Sequence, residues 1–214
     1  MCLRRVGAQL ARQLYATVGS DNVQGGRLAT EHLLDTGARH IAFLGDPELP
    51  EVGQRHAGYV LAHEARGLVP AALLTRPVPF VSEAIQQDLE AFVRAGHPLD
   101  GIFASSDLSA MAAIGTLRRL GKQVLGDVAV VGYDDIVLAA HFHPALTTVR
   151  QPIEAAGKAL VDTLIAQMSG ARPPSVLLPT DLVRRESSGP VRAETPAVER
   201  TARSTKLPAG RKRG

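Results

Sequence analysis

DVAVVGYDDIVLAAHFHPALTTVRQP, residues Asp127–Pro152, is the stretch whose reading decides the fold. Val128–Val131 is short, apolar and mostly β-branched. Its apolar character is continuous rather than alternating, as expected of a strand buried on both faces in a parallel sheet. Gly132-Tyr133-Asp134-Asp135 then closes the strand with a turn and two carboxylates. In an open α/β sheet, ligands bind outside the carboxyl ends of the strands. Asp134 and Asp135 stand where such a ligand would sit. Leu146–Val149 is a further strand or a crossover.

Upstream, the hydrophobic period alternates. Residues 24–36 read as a helix with Asp21 or Asn22 as its cap and Gly37 as its stop. His40–Gly45 is a strand, Asp46–Pro50 a polar loop, and residues 54–66 a helix. Ala72–Thr75 reads as a second strand, residues 82–95 as a helix, and Gly101–Ser105 as a third strand. Ser106-Asp107 caps a helix over 108–120. This β-α-β-α-β-α-β order implies an α/β fold with a parallel sheet flanked by helices. Downstream, Ile153–Met168 is helical and Ser175–Arg185 extended. Residues 1–18 carry a weak amphipathic helical pattern.

Composition narrows the function classes. Hydrophobic content of 45% with 4% aromatics suits an α/β protein rich in Ala, Val and Leu. No apolar run approaches the roughly 20 residues needed to span a bilayer, and the first residues lack the apolar core of a secretory signal. A single cysteine rules out an internal disulfide and fits a reducing cytoplasm. The net charge of +3 is uneven: from Pro190 on there are seven Lys and Arg against two Glu, which leaves the rest at −2. The body is therefore not a nucleic-acid surface by charge. The tail from 189 to 214 has the composition of a solvated, disordered basic extension. No phosphate loop, dinucleotide fingerprint or nucleophile elbow is present, so no enzyme and no cofactor are expected. His141 and His143, two apart in a loop, do not make a metal site without further ligands.

Several pieces together resemble the effector-binding core of the LacI/GalR family of bacterial transcription regulators. They are VVGYDD (Val130–Asp135) followed by PALTTVRQP (Pro144–Pro152), SDNVQGGRLATEHLLDTGARHIAFLG (Ser20–Gly45), Arg55-x-x-Gly58-Tyr59, FASSDLSAMAAIGTLRRLG (Phe103–Gly121) and LVRRESS (Leu182–Ser188). The resemblance implies a type I periplasmic-binding-protein-like fold with two lobes, and an effector, a small sugar or nucleoside, between them. It implies residues 40–147 as a complete second lobe, with 1–39 and 148–175 as a partial first lobe and 176–188 as the last strand of the second. The family's helix-turn-helix has no counterpart in this chain, which reads as truncated at its N-terminus. Operator DNA would be reached only through that missing domain. A cytoplasmic homodimer, without membrane contact, is expected of the family. A free-standing sugar-binding protein of the periplasmic type, or a nonfunctional remnant, are the alternatives.

The resemblance also assigns candidate ligand-binding residues. Asp134 matches the family carboxylate that contacts the effector, and its two oxygens suit vicinal hydroxyls; a turn aspartate bonded to its own backbone is the plain alternative. Arg55 matches the family arginine that clamps the ligand, against a solvated helix arginine. Ser106 stands where many relatives carry a longer Asn. Asp107 is expected to serve at least partly as a helix cap. Phe142 is a stacking or core residue, and Asp46 ends the first strand. Asp135 reads as structural.

Overall fold

The structure, a computed structural model, describes residues 16–189. The helical pattern at the N-terminus, apart from its last residues, and the basic tail lie outside the described residues. Strands β1 (Val18–Ser20), β2 (Ile41–Leu44), β3 (Thr75–Arg76), β4 (Gly101–Ala104), β5 (Ala129–Asp134), β6 (Thr147–Arg150), β7 (Val176–Leu178) and β8 (Asp181–Val183) form two sheets. Six of them lie in the order β3-β2-β4-β5-β6-β8, all parallel except β8, and β1 and β7 form a separate parallel pair. Helices α1 (Asn22–Asp35), α2 (Pro50–Glu64), α3 (Ser82–Arg94), α4 (Asp107–Arg119), α5 (Val137–His141) and α6 (Ile153–Met168) complete the fold.

The continuous apolar strands are explained by a core on each face of the large sheet. Along β2, Ile41 and Phe43 point to a cluster with Leu33 of α1 and Val52 and Tyr59 of α2. Ala42 and Leu44 point the other way, to Ile85, Leu89 and Phe92 of α3 and Ala113, Ile114 and Leu117 of α4. Helices α1 and α2 approach so closely that a Cβ on Gly26 would meet the Arg55 carbonyl oxygen at 2.0 Å, and one on Gly58 the Val23 carbonyl oxygen at 2.2 Å. Only glycine permits that crossing.

Several elements differ from the sequence expectation. Strand β5 runs on through Gly132, Tyr133 and Asp134, because β6 supplies partners for all three: Thr148, Val149 and Arg150. Helix α2 begins at Pro50 rather than at residue 54; proline at the first helical turn costs no hydrogen bond. Ala72–Leu74 is a 3-10 turn and only Thr75–Arg76 pairs with β2. Of the two cap candidates for α1, Asp21 serves, as expected of one of them, accepting the Gln24 N–H at 2.9 Å. The extended segment at 175–185 splits between the sheets: β7 joins β1, and β8 joins β6.

Helix α1 packs on α2 and the large sheet rather than with β1, and β6 belongs wholly to the large sheet. Helix α6 lies on β1 and β7. Among the described residues, the chain thus passes between the two sheets three times, at residues 20–22, 150–153 and 178–181. The first and last crossings are bonded to each other through Asp21 N–H to the Leu178 carbonyl at 2.7 Å and Thr180 N–H to Gln24 Oε1 at 3.0 Å.

Candidate functional site

From β2 the chain goes to β3 on one side; from β3 it returns to β4 on the other. The carboxyl ends of β2 and β4 are therefore the topological switch point, the usual ligand position in such sheets. Helix α2 carries Arg55 to this place. Its Nε donates to Asn22 Oδ1 at 2.9 Å and its Nη1 to the Ser105 carbonyl oxygen at 2.5 Å. The guanidinium lies 3.7 Å from the centroid of the Tyr133 ring. Arg55 is buried, at 7% exposure, so the solvated-arginine reading is excluded. Tyr133 and Asn22 are themselves linked, the phenol donating to Asn22 Oδ1 at 3.3 Å.

Asp134 ends β5 beside this group. Its Oδ1 lies 3.9 Å from Arg55 Nη2 and accepts from Gln151 Nε2 at 2.7 Å. Both interactions fall on Oδ1, and the side chain keeps 33% exposure. Neither of these two contacts uses Oδ2. Burial raises the Asp134 pKa, while Arg55 and the Gln151 hydrogen bond pull it back down. An acceptor oxygen next to a partly uncommitted guanidinium nitrogen matches a pair of hydroxyls, one donating and one accepting. A cavity of about 440 Å³ opens here, lined by Asp134, Asp135, Arg150, Gln151 and Ile153 among others.

The backbone at the site is unusual. Asp134 and Asp135 have φ of +113° and +53°, values disfavoured for residues with a Cβ. Asp135 is held by Arg150 Nε and Arg185 Nη2, each at 2.6 Å. Burial would raise its pKa, but the bonds from the two arginines outweigh that and hold it below the usual range. It is structural.

The other candidates make the following contacts. Ser106, not Asp107, caps α4: its Oγ accepts the Ser109 N–H at 3.2 Å. Asp107 occupies the first helical position, fully buried, and turns its carboxylate toward β6 and α5. Asp46 forms a local turn, accepting the Glu48 N–H at 3.0 Å. Phe142 packs on the apolar cluster between the sheet and α3 and α4. Asn22, Tyr133 and Gln151 complete the polar group around Arg55 and Asp134. They sit inside the SDN, GYDD and RQP pieces, so their local signal was in plain view. A second cavity, about 740 Å³, lies at the opposite end of the sheet near Arg118, Lys122 and His143. There Arg118 is already committed, donating to the His143 carbonyl at 2.5 Å.

Residues 30–188 match the periplasmic binding protein-like domain family. The chain belongs to this family. Within it, the similar proteins are LacI-type regulators. The HTH-type transcriptional regulator CelR of Thermobifida fusca is 36% identical over 173 residues, 79% of this chain and 51% of the regulator. The ribose operon repressor of Halalkalibacterium halodurans is 35% identical over 178 residues, 80% of this chain and 52% of the repressor. The solved structure of a CelR–cellobiose complex superposes with a TM-score of 0.81 at 34% identity, covering 86% of this chain and 58% of that one. This periplasmic-binding-protein-like chain thus spans about half the length of the curated relatives it matches. Among its described residues, no helix is long and apolar enough to cross a membrane.

Proposed function

We propose that the chain is the effector-sensing core of a LacI-type transcriptional repressor, acting in the cytoplasm as a binding module rather than an enzyme. A small sugar or nucleoside binds at the carboxyl end of β5, with Asp134 accepting from its hydroxyls and Arg55 donating to them. The small sheet of β1 and β7 with α6 belongs to a first lobe on the far side of the ligand. Operator DNA is the partner of the repressor to which this core belongs. The working unit is a homodimer. Leu108, Val137 and Leu138 are exposed at 63%, 82% and 50%, and the Asp107–Ile136 bond brings their two helices together into one apolar patch for a second copy.

The observation that carries this reading is the partly exposed Asp134 carboxylate beside a buried, fully oriented Arg55. The test is calorimetric titration of cellobiose, D-ribose and adenosine into the wild-type chain, Asp134→Asn and Arg55→Ala. Each lost charge-assisted bond corresponds to about tenfold or more in affinity. A ligand that binds the wild type and both variants equally well would remove these residues from the site.

A further inference from the structure

Asp107 does not cap α4, yet it is at 0% exposure. Its Oδ2 accepts the Ile136 N–H at 2.9 Å and its Oδ1 accepts the Thr148 hydroxyl at 2.5 Å. Thr148 Oγ1 in turn receives the Asp135 N–H at 3.4 Å. One carboxylate therefore reaches, directly or through Thr148, both residues that follow Asp134. Room for it exists only because residue 132 has no side chain: a Cβ there would lie 2.4 Å from Asp107 Oδ1.

We infer that Asp107 is the positioning residue of the effector site, holding Asp134 and Asp135 in their left-handed turn so that Asp134 Oδ2 faces the ligand. The inference rests on the effector role proposed above for Asp134. Two consecutive residues with a Cβ do not keep positive φ by preference, so the turn must be fixed from outside. Arg150 and Arg185 hold the Asp135 side chain. Only the Asp107–Thr148 pair holds the backbone N–H groups of Asp135 and Ile136 among the described residues. The charged neighbours of Asp107, Asp134 and Asp135, are each answered by arginine, Arg55 for the first, Arg150 and Arg185 for the second. Burial lifts its own pKa to about 6, against the Thr148 and Ile136 bonds that lower it, with Asp134 and Asp135 adding to the rise.

The conservative variant separates positioning from bulk structure. In Asp107→Asn, the amide oxygen still accepts the Ile136 N–H and the amide nitrogen can donate to Thr148 Oγ1. In Asp107→Ala, both bonds are gone. Amide hydrogen exchange of Ile136, referred to the amides of Phe43 and Phe103 in the core strands, reads the turn apart from global stability. We expect protection at Ile136 to fall at least about tenfold relative to those amides in Asp107→Ala, one lost bond to a charged group. Asp107→Asn should stay within about threefold of wild type. Gly132→Ala, which pushes the carboxylate aside, should behave like Asp107→Ala. Cellobiose affinity, measured on the same variants, should follow the same order. Unchanged Ile136 protection in Asp107→Ala, or an Asp107→Asn no better than Ala, overturns the positioning role. If instead the turn loosens as expected while Asp134→Asn leaves cellobiose binding untouched, positioning stands and the effector role of Asp134 fails.

Discussion

Gly58→Ala is the sharpest perturbation of the frame that carries Arg55. The added methyl carbon would sit 2.2 Å from the Val23 carbonyl oxygen, 2.6 Å from the Arg27 nitrogen and 2.9 Å from the Gly26 carbonyl carbon. All three are backbone atoms of α1, so no side chain can rotate away. Ordinary contact needs more than 3.4 Å, so α2 must back off from α1 by about an ångström. Overpacking of this kind costs about 1–3 kcal/mol, and the rigidity of the obstacle puts it at the upper end. Alanine recovers about 1 kcal/mol of helix propensity. The net expectation is a loss of about 2 kcal/mol, a large part of the about 5–15 kcal/mol typical of a domain. Gly157→Ala on α6 is the control. Nothing lies within 4 Å of its Cβ, so it should stabilise by up to about 1 kcal/mol. Urea unfolding followed by far-ultraviolet circular dichroism measures both; the chain has no tryptophan for fluorescence. A Gly58→Ala chain as stable as wild type, or a destabilised Gly157→Ala, would refute the close-crossing argument.

Further expectations concern stability, pH and assembly. His32, His56 and His63 have pKa values lowered by burial. The unfolded chain therefore binds protons first as pH falls through about 6.5, and stability drops. Asp107 acts in the opposite sense: its folded pKa of about 6 exceeds the unfolded value, so the fold gains as pH falls from there. Urea midpoints between about pH 7.5 and about pH 5 should decline, and more steeply in Asp107→Asn; a flat profile would contradict the burial of the three histidines. Asp135→Ala strands Arg185 and the half-exposed Arg150, and should cost about 2 kcal/mol by the same denaturation assay. Phe142→Ala should lower stability by about 2 kcal/mol yet leave cellobiose affinity unchanged, because the ring packs on the core. Val137→Asp should give a monomer in sedimentation velocity if the Leu108–Val137–Leu138 patch joins two copies; a persistent dimer would place the interface elsewhere.

The large sheet was legible because its strands are buried on both faces and announce themselves as unbroken apolar runs between helices of clear period. Helix α6 matches its expected bounds, Ile153–Met168. The ends were harder. Gly132, Tyr133 and Asp134 look like a turn locally, and only the partner strand β6, known from tertiary structure, makes them β5. A run as short as Ala72–Thr75 carries no signal that separates a 3-10 turn from a strand. At the candidate site, Asp134 and Arg55 were singled out through the family motifs, and the structure places them 3.9 Å apart. The cap was read only to the pair Ser106-Asp107, because adjacent polar residues at a helix start are equivalent in sequence. Which one caps is settled by backbone angle: Ser106 is extended, with φ −152° and ψ 160°, and the next residue is already helical.

The three chain crossings between the sheets have a mechanical consequence. Any rotation of the small sheet against the large one must be absorbed at residues 20–22, 150–153 and 178–181, a three-leaf flexure. Two leaves are clasped together by the Asp21–Leu178 and Gln24–Thr180 bonds and bend as one. The third carries Gln151, whose amide grips Asp134. A rotation of one sheet against the other would therefore pull on the hydrogen bond between Gln151 and the carboxylate at the end of β5.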